Sequence, residues 1–98
     1  MINKYLPIGS VVLLKNAKKR LMIIGLFQKV NGGGKIYDYT SCAYPIGMYD
    51  SNKLISFNHE DIDIVYAYGY MDDDYSKLNE KIIKNVNQRV SKQLFGGI

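Results

Sequence analysis

Apolar residues follow two rhythms along this chain. Up to about Tyr70 they come in short runs separated by turn-forming residues, and from Asp72 onward they recur every three or four positions. The first run, GSVVLLK at Gly9–Lys15, follows the turn signal Pro7-Ile8-Gly9, and its β-branched content predicts a strand. NAKKR (Asn16–Arg20) is a polar turn. RLMIIGLFQKV (Arg20–Val30) predicts a longer strand that is apolar on both faces, with Leu21, Ile23, Gly25 and Phe27 alternating with Met22, Ile24 and Leu26. Gly25 in its middle predicts a bulge or a sharp bend. NGGGK (Asn31–Lys35) is a hairpin loop, because Asn and Gly take positive φ at low cost. KIYDYTSCAYP (Lys35–Pro45) alternates as a third strand and stops at Pro45 and Gly47. NKLISF (Asn52–Phe57) is an edge strand or part of an ordered loop. IVYAYGY (Ile64–Tyr70) is a last strand, with Tyr66, Tyr68 and Tyr70 on one face and Val65, Ala67 and Gly69 on the other.

The second rhythm places Tyr75, Leu78, Ile82, Ile83, Val86, Val90 and Leu94 along one stripe, with no Gly or Pro between them. That spacing predicts an amphipathic helix of about five turns. Asp72–Asp74 at its start and Arg89 and Lys92 near its end suit the helix dipole, and Phe95-Gly96-Gly97 stops it. The expected fold is therefore α+β in one domain over residues 1–98. It is a small antiparallel sheet or half-open SH3-like barrel, about residues 5–71, with one C-terminal helix, about 73–94.

Length and charge narrow the function. A chain of 98 residues holds one hydrophobic core. No run approaches the roughly 20 apolar residues that cross a bilayer, so no membrane insertion is expected. The N-terminal apolar segment precedes its basic cluster, the reverse of a signal peptide, which points to the cytoplasm. The net charge of +4 is unevenly spread. Residues 1–59 carry eight basic and two acidic side chains, residues 60–74 six acidic and no basic, and residues 75–98 five basic and one acidic. Such blocks favour oriented association with a charged partner over generic polyanion binding.

Cys42, alone in the chain, reads as a small buried apolar residue rather than a nucleophile. The chain's single histidine lies in NHEDID (Asn58–Asp63). Asn58 and Asp61 resemble a capping box with an acid variant, and Glu60 and Asp61 suit the positive end of a short helical turn, so only His59 is left unexplained. His59, Asp61 and Asp63 lack zinc spacing, and Asp72–Asp74 are consecutive rather than spaced as a calcium loop. No catalytic residue, metal ligand or cofactor site is expected.

The row Tyr66, Tyr68 and Tyr70 has three readings in falling order: half-buried core, protein interface, or a stacking platform for bases. Lys15 with Lys18-Lys19-Arg20 is an exposed turn or a weak phosphate patch. The helix stripe is expected to pack on the sheet, with a partner helix as the second use. A protein partner is expected at Tyr66, Tyr68, Tyr70, Tyr75, Leu78, Ile82 and Val86. A small SH3-like or OB-like nucleic-acid-binding module is the alternative.

Four phrases together carry a family resemblance: YLPIGSVVLLK (Tyr5–Lys15), KKRLMIIGLFQ (Lys18–Gln28), YDY with YPIGM (Tyr37–Met48), and FNHEDIDIVYAYGY (Phe57–Tyr70). Over about residues 5–75 the chain resembles domain-of-unknown-function family 4176. Members of that family are typically encoded beside LXG-type polymorphic toxins and small helical partners of the type VII secretion system of Gram-positive bacteria. The resemblance implies a non-enzymatic cytoplasmic accessory protein, an adaptor or chaperone-like factor in toxin export. It transfers no catalytic residue.

Overall fold

The computed structural model describes residues 5–27 and 35–87, the last three as backbone. Five strands form one antiparallel sheet: β1 (Val11–Leu14), β2 (Leu21–Leu26), β3 (Tyr39–Ala43), β4 (Ile55–Phe57) and β5 (Ile62–Ala67). Their order is β4-β3-β2-β1-β5, so the chain meanders from β1 to β4 and returns to lie beside β1. The sheet is open, with β4 and β5 at its edges. One helix, α1 (Asp73–Asn87), follows. The chain divides into two compact units, one spanning Leu6–Tyr70 and the other joining Tyr5 to the segment from Met71.

In the sheet unit one face is core. Val12 pairs with Leu21 and with Val65, Ile23 with Ser41, and Tyr39 with Phe57, and directly opposed residues share a face. Val12, Ile23 and Tyr39 are fully buried, and Leu21 and Phe57 nearly so. Each such side chain contributes about 1.5–3 kcal/mol of transfer free energy. The Tyr39 and Phe57 rings sit 5.3 Å apart in a tilted arrangement. Cys42 is buried and free, as expected of a small apolar residue.

The bulge expected at Gly25 is present. Ile23 pairs with Ser41 and Gly25 with Thr40, which leaves Ile24 as the extra residue. Asn52–Phe57 resolves into a 3₁₀ turn, Ser51–Lys53, followed by the edge strand β4. The Asp50 carboxylate caps that turn by accepting the Asn52 N–H at 2.9 Å. The third strand is shorter than the Lys35–Pro45 expected. The expected hairpin loop at residues 31–34, the expected end of the second strand and the expected continuation of the helix beyond residue 87 lie outside the described residues.

The last strand ends earlier than its tyrosine alternation suggests. β5 stops at Ala67, because the Gly69 N–H donates to Ser10 Oγ at 3.0 Å instead of continuing the ladder. Ser10 is fully buried, and its hydroxyl in turn donates to the Pro7 carbonyl at 2.7 Å. At Gly69 the backbone passes so close to Ile8 that a Cβ would lie 2.0 Å from the Ile8 carbonyl oxygen. In the other unit, Asp72 caps α1, its Oδ1 accepting the Tyr75 N–H at 3.0 Å. The Tyr5 N–H donates to Asn79 Oδ1 at 2.8 Å, and the Tyr75 hydroxyl donates to the Tyr5 carbonyl.

Candidate protein-docking face

The sheet's second face comes from the alternate residues of the same strands. Val11 opposes Met22, Met22 opposes Cys42, and Leu13 opposes Ile64. Val11 and Cys42 are buried, Leu13 and Met22 half-buried, and Ile64 and Tyr66 exposed. Apolar side chains therefore line this face without being closed off from water.

Arg20 lies over it. Its guanidinium carbon is 5.3 Å from the centre of the Tyr44 ring and 5.9 Å from that of Tyr66. The Tyr44 N–H donates to the Arg20 carbonyl at 3.1 Å, which carries the β2–β3 ladder one step further and fixes the first contact. Tyr66 belongs to β5, so the side chain reaches it over β1. A cation over an aromatic face contributes about 0.5–1 kcal/mol at exposed sites. Among the described residues the guanidinium meets these two rings and no carboxylate. Lys15, Lys18 and Lys19 are exposed in the adjoining turn, and Ile46, Met48 and Tyr49 are exposed in the loop after β3.

His59 is hydrogen-bonded to β3 and to the segment entering it. The Tyr39 hydroxyl accepts the Leu6 N–H at 3.0 Å and lies 2.7 Å from His59 Nδ1. A backbone N–H only donates, so the hydroxyl is an acceptor towards Leu6, and its role towards His59 Nδ1 follows the imidazole tautomer. The His59 N–H donates to Asp38 Oδ2 at 2.9 Å. Burial pushes the His59 pKa below its ordinary 6.5, and the Asp38 carboxylate opposes that shift. Asn58 and Asp61 form the expected capping-box arrangement around the 3₁₀ turn His59–Asp61, with the Asn58 N–H donating to Asp61 Oδ2 at 2.9 Å. Asn58 Oδ1 accepts the Asp38 N–H at 3.1 Å, so its hydrogen bond runs to the segment entering β3. Among the described residues, no three of His, Cys, Asp and Glu form a group that could hold a metal ion.

The residues singled out in the sequence scatter. Tyr66, Tyr68 and Tyr70 are 52%, 60% and 82% exposed, so the half-buried-core reading of the row does not hold. Only Tyr66 lies in a strand. Tyr75 and Leu78 are half-buried, Ile82 is fully buried and so closed to a partner, and the side chain of Val86 lies outside the described residues. Arg20 was singled out only as part of the basic turn, and Tyr44, Leu13, Met22 and Ile64 were not singled out. A signal existed in the second strand, which is apolar on both faces while only one faces the core.

A profile of the family described as Domain of unknown function (DUF4176) matches residues 5–78. The chain belongs to that family. The DUF4176 match takes in all five strands, the His59 network and every residue of the second face. No curated protein and no solved structure matches the chain. No helix among the described residues is long and apolar enough to cross a membrane.

Proposed function

We propose that this DUF4176 protein is a non-enzymatic accessory factor, an adaptor or chaperone-like protein, for an LXG-type toxin of the type VII secretion system, acting in the cytoplasm. The observation that carries the protein-binding part is the open second face of the sheet. Exposed apolar side chains gathered beside polar ones are the usual composition of a protein interface, and aromatic and Arg residues are the types enriched there. The toxin part is supported by the gene neighbourhood that the family resemblance implies, an association rather than a contact. Co-expression with the neighbouring toxin tests both. Co-elution in size-exclusion chromatography, and loss of toxin export on deletion of this gene, are the expected results. Separate elution together with unchanged export overturns the proposal.

The exposed Lys15, Lys18, Lys19 and Arg20 beside Tyr44 and Tyr66 support a second reading, single-stranded nucleic-acid binding. That reading requires an affinity that weakens steeply with salt. Absence of a shift in a gel assay at low salt removes it.

A further inference from the structure

We infer that Arg20, framed by Tyr44 and Tyr66, is the anchor for a carboxylate carried on an otherwise apolar segment of a partner protein; the inference rests on the protein-binding reading above. Charge comes first. Lys15, Lys18, Lys19 and Arg20 are all exposed at one end of the face, beside the start of β5, where the Lys15 N–H donates to the Asp61 carbonyl at 2.9 Å; the Arg20 guanidinium itself meets no carboxylate among the described residues. A guanidinium with no carboxylate partner among the described residues selects an acidic ligand and repels a basic one.

The second feature is preparation. Arg20 is held between two rings, so binding costs less side-chain entropy than recruiting a free arginine. Its N–H groups meet no carboxylate among the described residues, and a planar guanidinium matches the two oxygens of a carboxylate. The third is the surroundings. Leu13, Met22 and Ile64 extend the face as aliphatic surface, which offers nothing to a sugar–phosphate chain and accepts apolar side chains. A polypeptide bearing acids among aliphatic and aromatic residues satisfies all three; a nucleic acid satisfies only the first two.

The test uses the full chain and two kinds of probe. Short fluorescent peptides alternating Glu with Leu and Phe are compared by anisotropy with the same peptides carrying Lys for Glu, and with oligothymidine. The acidic peptide is expected to bind and the other two to fail. Arg20→Glu weakens the acidic peptide by about tenfold or more, and Tyr66→Ala by several-fold. Lys53→Glu, the same charge change in the 3₁₀ turn before β4, leaves it unaltered. Circular dichroism checks that each variant is folded. Binding indifferent to Arg20, equal binding of the Lys peptides, or preference for oligothymidine overturns the inference. So does a wild-type dimer that Arg20→Glu dissociates, which puts a second copy's acidic block in the site. In a parallel arm the co-encoded toxin replaces the peptides. A toxin that ignores the wild-type chain sinks the adaptor reading, whereas peptide binding indifferent to Arg20 sinks this one.

Discussion

The Tyr39 hydroxyl joins the Leu6 N–H to the His59 ring, and that junction gives the fold a pH dependence with a definite sign. His59 holds its proton less well in the folded chain than at its ordinary 6.5, chiefly through burial. Between the two values the unfolded chain binds more protons, so stability falls as pH drops through about 6.5 and levels off once folded His59 also charges. Above that window the contribution is complete. His59→Asn, which keeps an uncharged hydrogen-bonding side chain near Tyr39, is expected to flatten the change in urea midpoint between pH 7.5 and 5.5. An unchanged slope in that variant refutes the assignment. Gly69 is the other position where one atom decides the outcome. Gly69→Ala sets a methyl 2.0 Å from the Ile8 carbonyl oxygen, a backbone atom that cannot swing away. The expected cost is about 2 kcal/mol or more, with a melting temperature lowered on the order of 10 °C. A variant as stable as wild type would mean that the approach of Gly69 to Ile8 is looser than described. Neither residue's role was legible in the sequence. His59 and Tyr39 meet across twenty positions, and Gly69 and Ile8 across the whole sheet unit.

Elements governed by local chemistry were the legible ones. Gly25 marks a bulge because glycine tolerates the irregular backbone, and Asp72–Asp74 mark a helix start because a carboxylate satisfies end N–H groups. The end of β5 was not legible, since it is set by Ser10 Oγ, fifty-nine positions away in sequence. The three aspartates are also unequal in a way that tests the cap. Asp72 accepts the Tyr75 N–H, whereas Asp73 and Asp74 lie inside the first turn and act through charge. Asp72→Ala is expected to cost about 1 kcal/mol and to lower helical ellipticity. Asp73→Asn is expected to cost a few tenths of a kcal/mol, towards the lower end of helix-dipole effects of about 0.3–1 kcal/mol. Equal losses from the two would show that Asp72 does not cap α1. The docking face belongs to this scale too. Its strands were foreseen, but which residues share a face with Arg20 depends on the register of β1, β2, β3 and β5 together.

For the whole molecule, the contrast between open lysines and an arginine set against two rings separates how fast a partner arrives from how long it stays. Lys15, Lys18 and Lys19 are exposed at the edge of the face, so their effect on an approaching acidic partner acts through solvent. Such attraction is cut down as the screening length falls from about 10 Å at 0.1 M salt to about 3 Å at 1 M. Arg20 is exposed too, but its guanidinium sits against two rings, which restricts its motion and offers a bound carboxylate a fixed, bidentate partner. Exposed rim charges therefore govern association, and the held arginine governs dissociation. For the proposed complex with an LXG-type toxin, raising salt is expected to slow association several-fold while the dissociation rate changes little. Reversing Lys18 and Lys19 to Glu reproduces the effect of salt at low ionic strength. Arg20→Ala instead speeds dissociation and leaves most of the salt dependence of association in place. Biolayer interferometry at several salt concentrations separates the two rates. If Arg20→Ala altered only association, the ring-framed arginine would be one more rim charge, and the face would lack an anchor.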